Sequence, residues 1–220
     1  APDNPATCDP NPAAGEYGCP AAGDDGWIRN APVFDGAARL TLPDTTLATG
    51  DGFSIGGWFR LHRELTSTQQ TLVSKSGVAR LFIPGQGETV TRTLAYLDVG
   101  GQILEPSPDY PGLMLNQWTH IFATYEYPDA GETLGRARLY INGHKVGEAE
   151  LSPPTANANP LQVGEDFIGM ADEIVAYNYG LSGRDIEHIY EYQVHWYDAA
   201  ESHNITVDAE APIVTLELAD

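Results

Sequence analysis

Two packed antiparallel sheets are predicted by three features of this sequence. Apolar and polar residues alternate over short segments, the period of two that a half-buried strand requires. Turn pairs punctuate those segments, among them Asp51-Gly52, Ser76-Gly77, Gly100-Gly101 and Asn142-Gly143. Helical spacing occurs once, late in the chain. About ten short strands and one short C-terminal helix make an all-β sandwich.

The clearest stretch runs from Asn116 to Val146. Trp118–Tyr127 is an apolar run. In Arg136–Ile141, Ala137, Leu139 and Ile141 share one face, and Arg136, Arg138 and Tyr140 the other. Asn142-Gly143 supplies the positive φ angles of a type I′ turn, and His144–Ala149 returns as the second arm of a hairpin.

Elsewhere, Ala1 to Asn30 is punctuated by prolines and reads as irregular. Val33–Leu42 reads as one strand interrupted at Asp35-Gly36. Phe53–Leu61 puts Phe53, Ile55, Gly57, Phe59 and Leu61 toward the core and Trp58 on the opposite surface. Gln70–Lys75 and Val78–Pro84 form a hairpin. Arg92–Val99, Gln102–Leu104, Leu161–Val163 and Gly169–Tyr177 complete the strands. In the last of these, Asp172 is expected to share a face with Met170 and Ile174. Ser182 is placed to cap a helix with Asp185 completing the capping box, and Ile186, Ile189 and Tyr190 form its apolar face. The domains expected are an irregular segment over 1–26, the sandwich over 27–196, and a linker over 197–220. Ile213–Leu218 is either an edge strand or the start of a following β module; the Ala211-Pro212 junction favours the second.

The chain has 220 residues and a formal charge of −20, from 31 acidic against 11 basic side chains. Nucleic acid and anionic lipid need a basic patch, so neither is an expected partner. No apolar run is long enough to cross a bilayer, so membrane insertion is not expected. Cys8 and Cys19 enclose an irregular decapeptide-scale loop. A disulfide there would stabilise the loop by roughly 2–3 kcal/mol and fits an oxidising, extracytoplasmic compartment; free thiols are the alternative.

In order, FDGAARLTLP, DGFSIGGWFRL, TLVSK, LNQWTHIFATYE, ARLYINGHKVGE, PLQVG and FIGMADEIVAYNYGLSGRDIEHIYEY resemble the laminin-G-like, concanavalin A-like jelly roll across Trp27–Tyr192. The ordered set is specific, above all Trp118-x-His120, Tyr140-x-Asn142-Gly143, and Gly169-x-x-Asp172-Glu173-Ile174 followed by Leu181-Ser182-x-x-Asp185-Ile186. Ile205–Asp220 similarly resembles the entry to a bacterial immunoglobulin-like or cadherin-like module. The resemblance implies a secreted or cell-surface module, covalently linked to neighbouring domains in a larger bacterial protein such as an adhesin or a polysaccharide-degrading enzyme. Members of this family bind sugars, glycoproteins or proteins, and some only space other domains, so the fold leaves the ligand open.

The resemblance also implies a structural calcium where an early loop meets the last long strand. The matching positions are Asp35, Gly36 and Asp172, with Asp24 and Asp25 nearby in sequence. A buried carboxylate at Asp172 needs a cation or several N–H donors. The alternative for Asp35 is a carboxylate that caps its own turn. A sugar site would use aromatic and polar groups on one sheet face. Trp58, Tyr96, Tyr140 and Arg138 lie on the non-core phase of their strands, although Trp58 is better suited to packing. His120 reads as a hydrogen-bonded structural histidine. Asp172 and Glu173 are adjacent, so a strand sends them to opposite faces, and the paired carboxylates of a glycosidase are not recognisable. The expected function is a non-catalytic binding or adhesion module for a glycan or glycoprotein. A structural spacer or protein-interaction module is the alternative, and a lyase or hydrolase of the same fold a weaker third.

Overall fold

The computed structural model describes residues 6–23, 26–28, 30–42, 47–62, 68–85 and 92–202, with side chains through His195. The strands are β1 (Ala21–Ala22), β2 (Pro32–Asp35), β3 (Leu40–Leu42), β4 (Gly52–Leu61), β5 (Gln70–Lys75), β6 (Ala79–Ile83), β7 (Tyr96–Val99), β8 (Gln102–Leu104), β9 (Trp118–Glu126), β10 (Gly135–Ile141), β11 (His144–Leu151), β12 (Leu161–Val163) and β13 (Ile168–Tyr177). One helix, α1 (Gly183–Ser202), closes the described chain. Every strand pair is antiparallel. Seven strands form one sheet in the order β1-β2-β13-β4-β9-β10-β11, and six form the other, β3-β12-β5-β6-β7-β8.

The core lies between the sheets and follows the alternation of each strand. From β4 it takes Phe53, Ile55, Phe59 and Leu61; from β9 and β10, Ile121, Ala123, Tyr125, Ala137, Leu139 and Ile141. The six-stranded sheet contributes Leu40, Leu42, Val73, Leu81, Ile83, Leu97 and Val99. The Asn142-Gly143 turn has φ angles of 49° and 78°, as a type I′ hairpin requires. Asn142 also accepts the backbone N–H of His120 on its side-chain oxygen at 3.0 Å, tying the turn to β9.

β7 begins at Tyr96 and not at Arg92, β1 lies in the segment expected to be irregular, and three further details differ from the sequence expectation. The interruption at Asp35-Gly36 is a change of sheet: β2 belongs to the seven-stranded layer and β3 to the six-stranded one. A β-bulge lies between Asp172 and Val175, with Glu173 at φ 48°. The inserted residue reverses the phase of β13. Asp172 therefore pairs opposite Trp58 on the outer face, while Ile174 turns into the core. The helix is also longer than expected, 20 residues. Its start is the predicted capping box: Asp185 N–H donates to Ser182 Oγ at 3.3 Å, and Ser182 N–H donates to Asp185 Oδ2 at 2.9 Å. Among the described residues no helix is long and apolar enough to cross a membrane. Ile213–Leu218 lies outside the described residues.

Candidate binding faces

The two sheets present very different outer surfaces. On the seven-stranded sheet, α1 lies across β4, β9 and β10. Ile186 and Leu181 pack with Phe122 and Tyr140, and Val175, Tyr177, Tyr179 and Ile189 surround them. Gly56 makes this possible on β4, because a Cβ there would fall 2.5 Å from the Phe122 ring. Tyr190 stacks on Trp58 at 5.7 Å between centroids, and Gln193 Oε1 accepts the indole N–H of Trp58 at 2.7 Å. Ile186, Ile189, Tyr190 and Gln193 follow the i, i+3, i+4, i+7 spacing of one helical stripe. Trp27 covers the rest of Trp58, with centroids 3.7 Å apart.

Trp58 and Tyr140 are consequently 2% and 3% exposed. The expectation that they line an open sugar platform is corrected by the helix, whose apolar stripe occupies that face. Arg138 lies beside them in an ion-pair network, with its guanidinium 2.9 Å from both Glu126 and Glu148, while Lys145 reaches Glu148 at 2.8 Å. It bridges three strands.

His120 is fully buried on the same face between Trp58, Phe122 and Tyr190. Neither ring nitrogen has a hydrogen-bond partner among the described residues, unlike the hydrogen-bonded histidine expected. Burial lowers its pKa to about 3, so the ring is neutral. Among the described residues no carboxylate orients it.

The residues expected to hold calcium lie apart and are engaged by backbone N–H groups. Asp35 is exposed and its carboxylate accepts the Ala37 N–H at 2.9 Å, capping its own turn with Gly36 at φ 90°. Asp172 accepts the Ile28 N–H at 3.0 Å and the Glu173 N–H at 2.9 Å. Asp35 pairs with Ile168, four residues along β13 from Asp172. At the rise of a strand that separates them by ~13 Å. One calcium draws its oxygens from within 2.3–2.6 Å of the ion. Asp35, Gly36 and Asp172 therefore do not fit a shared ion, and the described residues contain no group of three metal-ligating side chains. Asp24 and Asp25 lie outside the described residues.

The six-stranded sheet carries the remaining predicted residue, Tyr96, on its outer face. Register sets Tyr96 opposite Phe82 and Asp98 opposite Arg80. Arg80 donates to Asp98 at 2.8 Å and lies 4.5 Å over the Phe82 ring. Tyr96 packs against Phe82 at 5.8 Å and is half-buried, which raises its pKa. Ser74, Gln162 and Thr41 continue the same face across β5, β12 and β3 by strand pairing. Ile103 stands exposed at the β8 edge. The result is half-buried Tyr96 over buried Phe82, one ion pair, and partly exposed Gln162 and Thr41 beside buried Ser74. Sequence reasoning missed Arg80 because its partner Asp98 lies across an intervening loop that fixes no register.

The Laminin_G_3 family model, described as the concanavalin A-like lectin/glucanases superfamily, matches residues 34–187, and the chain belongs to that family. Comparison with curated protein sequences finds no match. Among solved structures, the chain is similar to domain 4 of AbnA, a GH43 extracellular arabinanase from Geobacillus stearothermophilus, solved with arabinotriose: 23% identity, a TM-score of 0.62, 84% of this chain and 88% of that one. It is also similar to a heptameric SAP-like pentraxin from Limulus polyphemus, with 13% identity, a TM-score of 0.52, and 72% and 80% covered. A third likeness is to the receptor-binding domain of botulinum neurotoxin type G, with 17% identity, a TM-score of 0.52, and 80% and 47% covered. At these identities the likeness is one of fold.

Proposed function

We propose that this chain is a non-catalytic, extracellular carbohydrate-binding module whose ligand lies on the outer face of the six-stranded sheet. The observation that carries this reading is the asymmetry of the two faces. A helix fills the seven-stranded one, whereas the other combines half-exposed Tyr96 with the Arg80–Asp98 pair and a polar row. An aromatic ring supplies a platform for sugar C–H groups, and planar charged side chains suit paired hydroxyls. The Cys8–Cys19 disulfide supports an oxidising compartment. The arabinanase domain solved with arabinotriose supports the ligand class by analogy of fold.

An array of uncharged and anionic glycans, probed with the wild-type protein and with Tyr96→Ala, tests the reading. Retention of at least one glycan by the wild type, lost in Tyr96→Ala while the melting temperature holds, is expected. No retained glycan, or equal retention by both proteins, would overturn it.

A further inference from the structure

At the β3 end of the six-stranded sheet, the N-terminal segment builds a wall that the family match does not include. The match begins at residue 34, and the wall is made of residues 7–17. A cleft of about 740 Å³ opens between this wall and the sheet, lined by Cys8, Asp9, Glu16, Tyr17, Arg39 and Thr41 among others. It is an open groove and not an enclosed cavity. Leu40 and Leu42 point into the core, so Arg39 and Thr41 face outward, on the same surface as Gln162 and Ser74. The cleft thus continues the proposed ligand face.

The wall is held in place from several directions. The Cys8–Cys19 disulfide closes it. Thr7 and Thr41 exchange both backbone hydrogen bonds at 2.8 Å. Gly18 N–H donates to Ala37 O at 2.8 Å, and Arg39 N–H to Gly18 O at 2.9 Å. Tyr17 donates its hydroxyl to Asp166 at 2.7 Å, and the Arg39 guanidinium lies 4.6 Å over its ring. Burial, then the Asp166 contact, pushes the Tyr17 pKa up to about 12, so this hydroxyl remains a donor at all ordinary pH values. A wall fixed before binding needs little ordering when a ligand arrives.

Its chemistry is mixed. Asp9 and Glu16 each accept one local backbone N–H, from Asn11 at 2.8 Å and from Ala13 at 3.4 Å. The second oxygen of each has no partner among the described residues. Arg39 supplies donors; its ion-pair partner Glu165 lies at 4.0 Å. Carboxylates and a guanidinium offer two acceptors or two donors in a plane, which matches vicinal hydroxyls. Pro10, the disulfide and the Tyr17 ring offer apolar surface. Two carboxylates also repel an anionic sugar.

We infer that this cleft is a subsite for an uncharged sugar residue bearing vicinal hydroxyls, with Asp9, Glu16 and Arg39 as its hydrogen-bonding groups. The inference rests on the glycan-binding reading above and adds the site and the class of sugar. Isothermal titration with arabinotriose, cellotriose, mannotriose and trigalacturonate tests it, using wild type, Asp9→Asn, Glu16→Gln and the Cys8→Ser/Cys19→Ser pair. The two isosteric variants sit on exposed residues, and their melting temperatures should match the wild type. The expected result is binding of at least one uncharged trisaccharide, about tenfold weaker in each isosteric variant. The serine pair should weaken it further, and trigalacturonate should not bind. Wild-type binding that all three variants retain would overturn the cleft and leave the glycan reading standing. Tighter binding of trigalacturonate would overturn the class of sugar. Failure of every uncharged trisaccharide to bind the wild type would overturn the cleft outright, and the array separates that result from failure of glycan binding as such.

Discussion

The indole N–H of Trp58 donates to Gln193 Oε1 at 2.7 Å, joining the middle of β4 to the third turn of α1. The Trp58 indole is shut away from water by Trp27, Tyr190 and the sheet, while Gln193 is partly exposed on the helix. Replacing Gln193 with Met keeps the length of the side chain and leaves a buried donor without an acceptor. The expected loss is about 1–3 kcal/mol of unfolding free energy. Trp58→Phe removes donor and part of the ring together, so a double substitution should cost less than the sum of the singles. Chemical denaturation of the four proteins measures this. Strict additivity would mean that the contact contributes nothing.

His120 gives the same face a pH dependence. Its folded pKa of about 3 lies below the ordinary histidine value of 6.5, because burial among Trp58, Phe122 and Tyr190 disfavours the charged ring. Between those two values the unfolded chain binds the proton and the folded chain does not. Stability is therefore retained above pH 6.5 and lost as the pH falls toward 3. At pH 5 the loss relative to pH 7 is about 2 kcal/mol from this residue alone. His120→Phe should lose that part of the acid sensitivity. Parallel stability profiles for the two proteins over pH 7 to 4 would contradict it.

Much of this was legible from local pattern. Alternation in β4 and β10 separated the core side from the outer side correctly, because a period of two leaves no choice of face once one residue is assigned. The Asn142-Gly143 turn and the Ser182/Asp185 cap were readable because each satisfies a backbone requirement within a few residues. What covers an outer face was not readable. Trp58 was assigned correctly to the non-core side, yet that side belongs to α1, and contact between residues 58 and 190 has no local signature. The bulge after Asp172 was equally hidden: one inserted residue moved Ile174 into the core and left the carboxylate beside Trp58. The cleft was missed because its wall is an irregular segment whose place is fixed by a disulfide and by pairing of Thr7 with Thr41.

Asp35 and Asp172 provide a decisive comparison of hydrogen-bonded carboxylates with a shared cation. Asp35→Ala removes one turn hydrogen bond from an exposed position and should cost about 0.5–1 kcal/mol. Asp172→Ala removes the acceptor of two backbone N–H groups and should cost about 3 kcal/mol. At ~13 Å separation along β13, the two losses should add to within about 0.5 kcal/mol. EDTA should leave the losses and their additivity unchanged. A calcium bridging the two would give the opposite pattern. Either substitution would release the ion, the second would then cost little, and chelation would bring the wild type down to the level of the variants. Denaturant titrations of wild type, both single variants and the double variant, each with and without EDTA, separate the two outcomes.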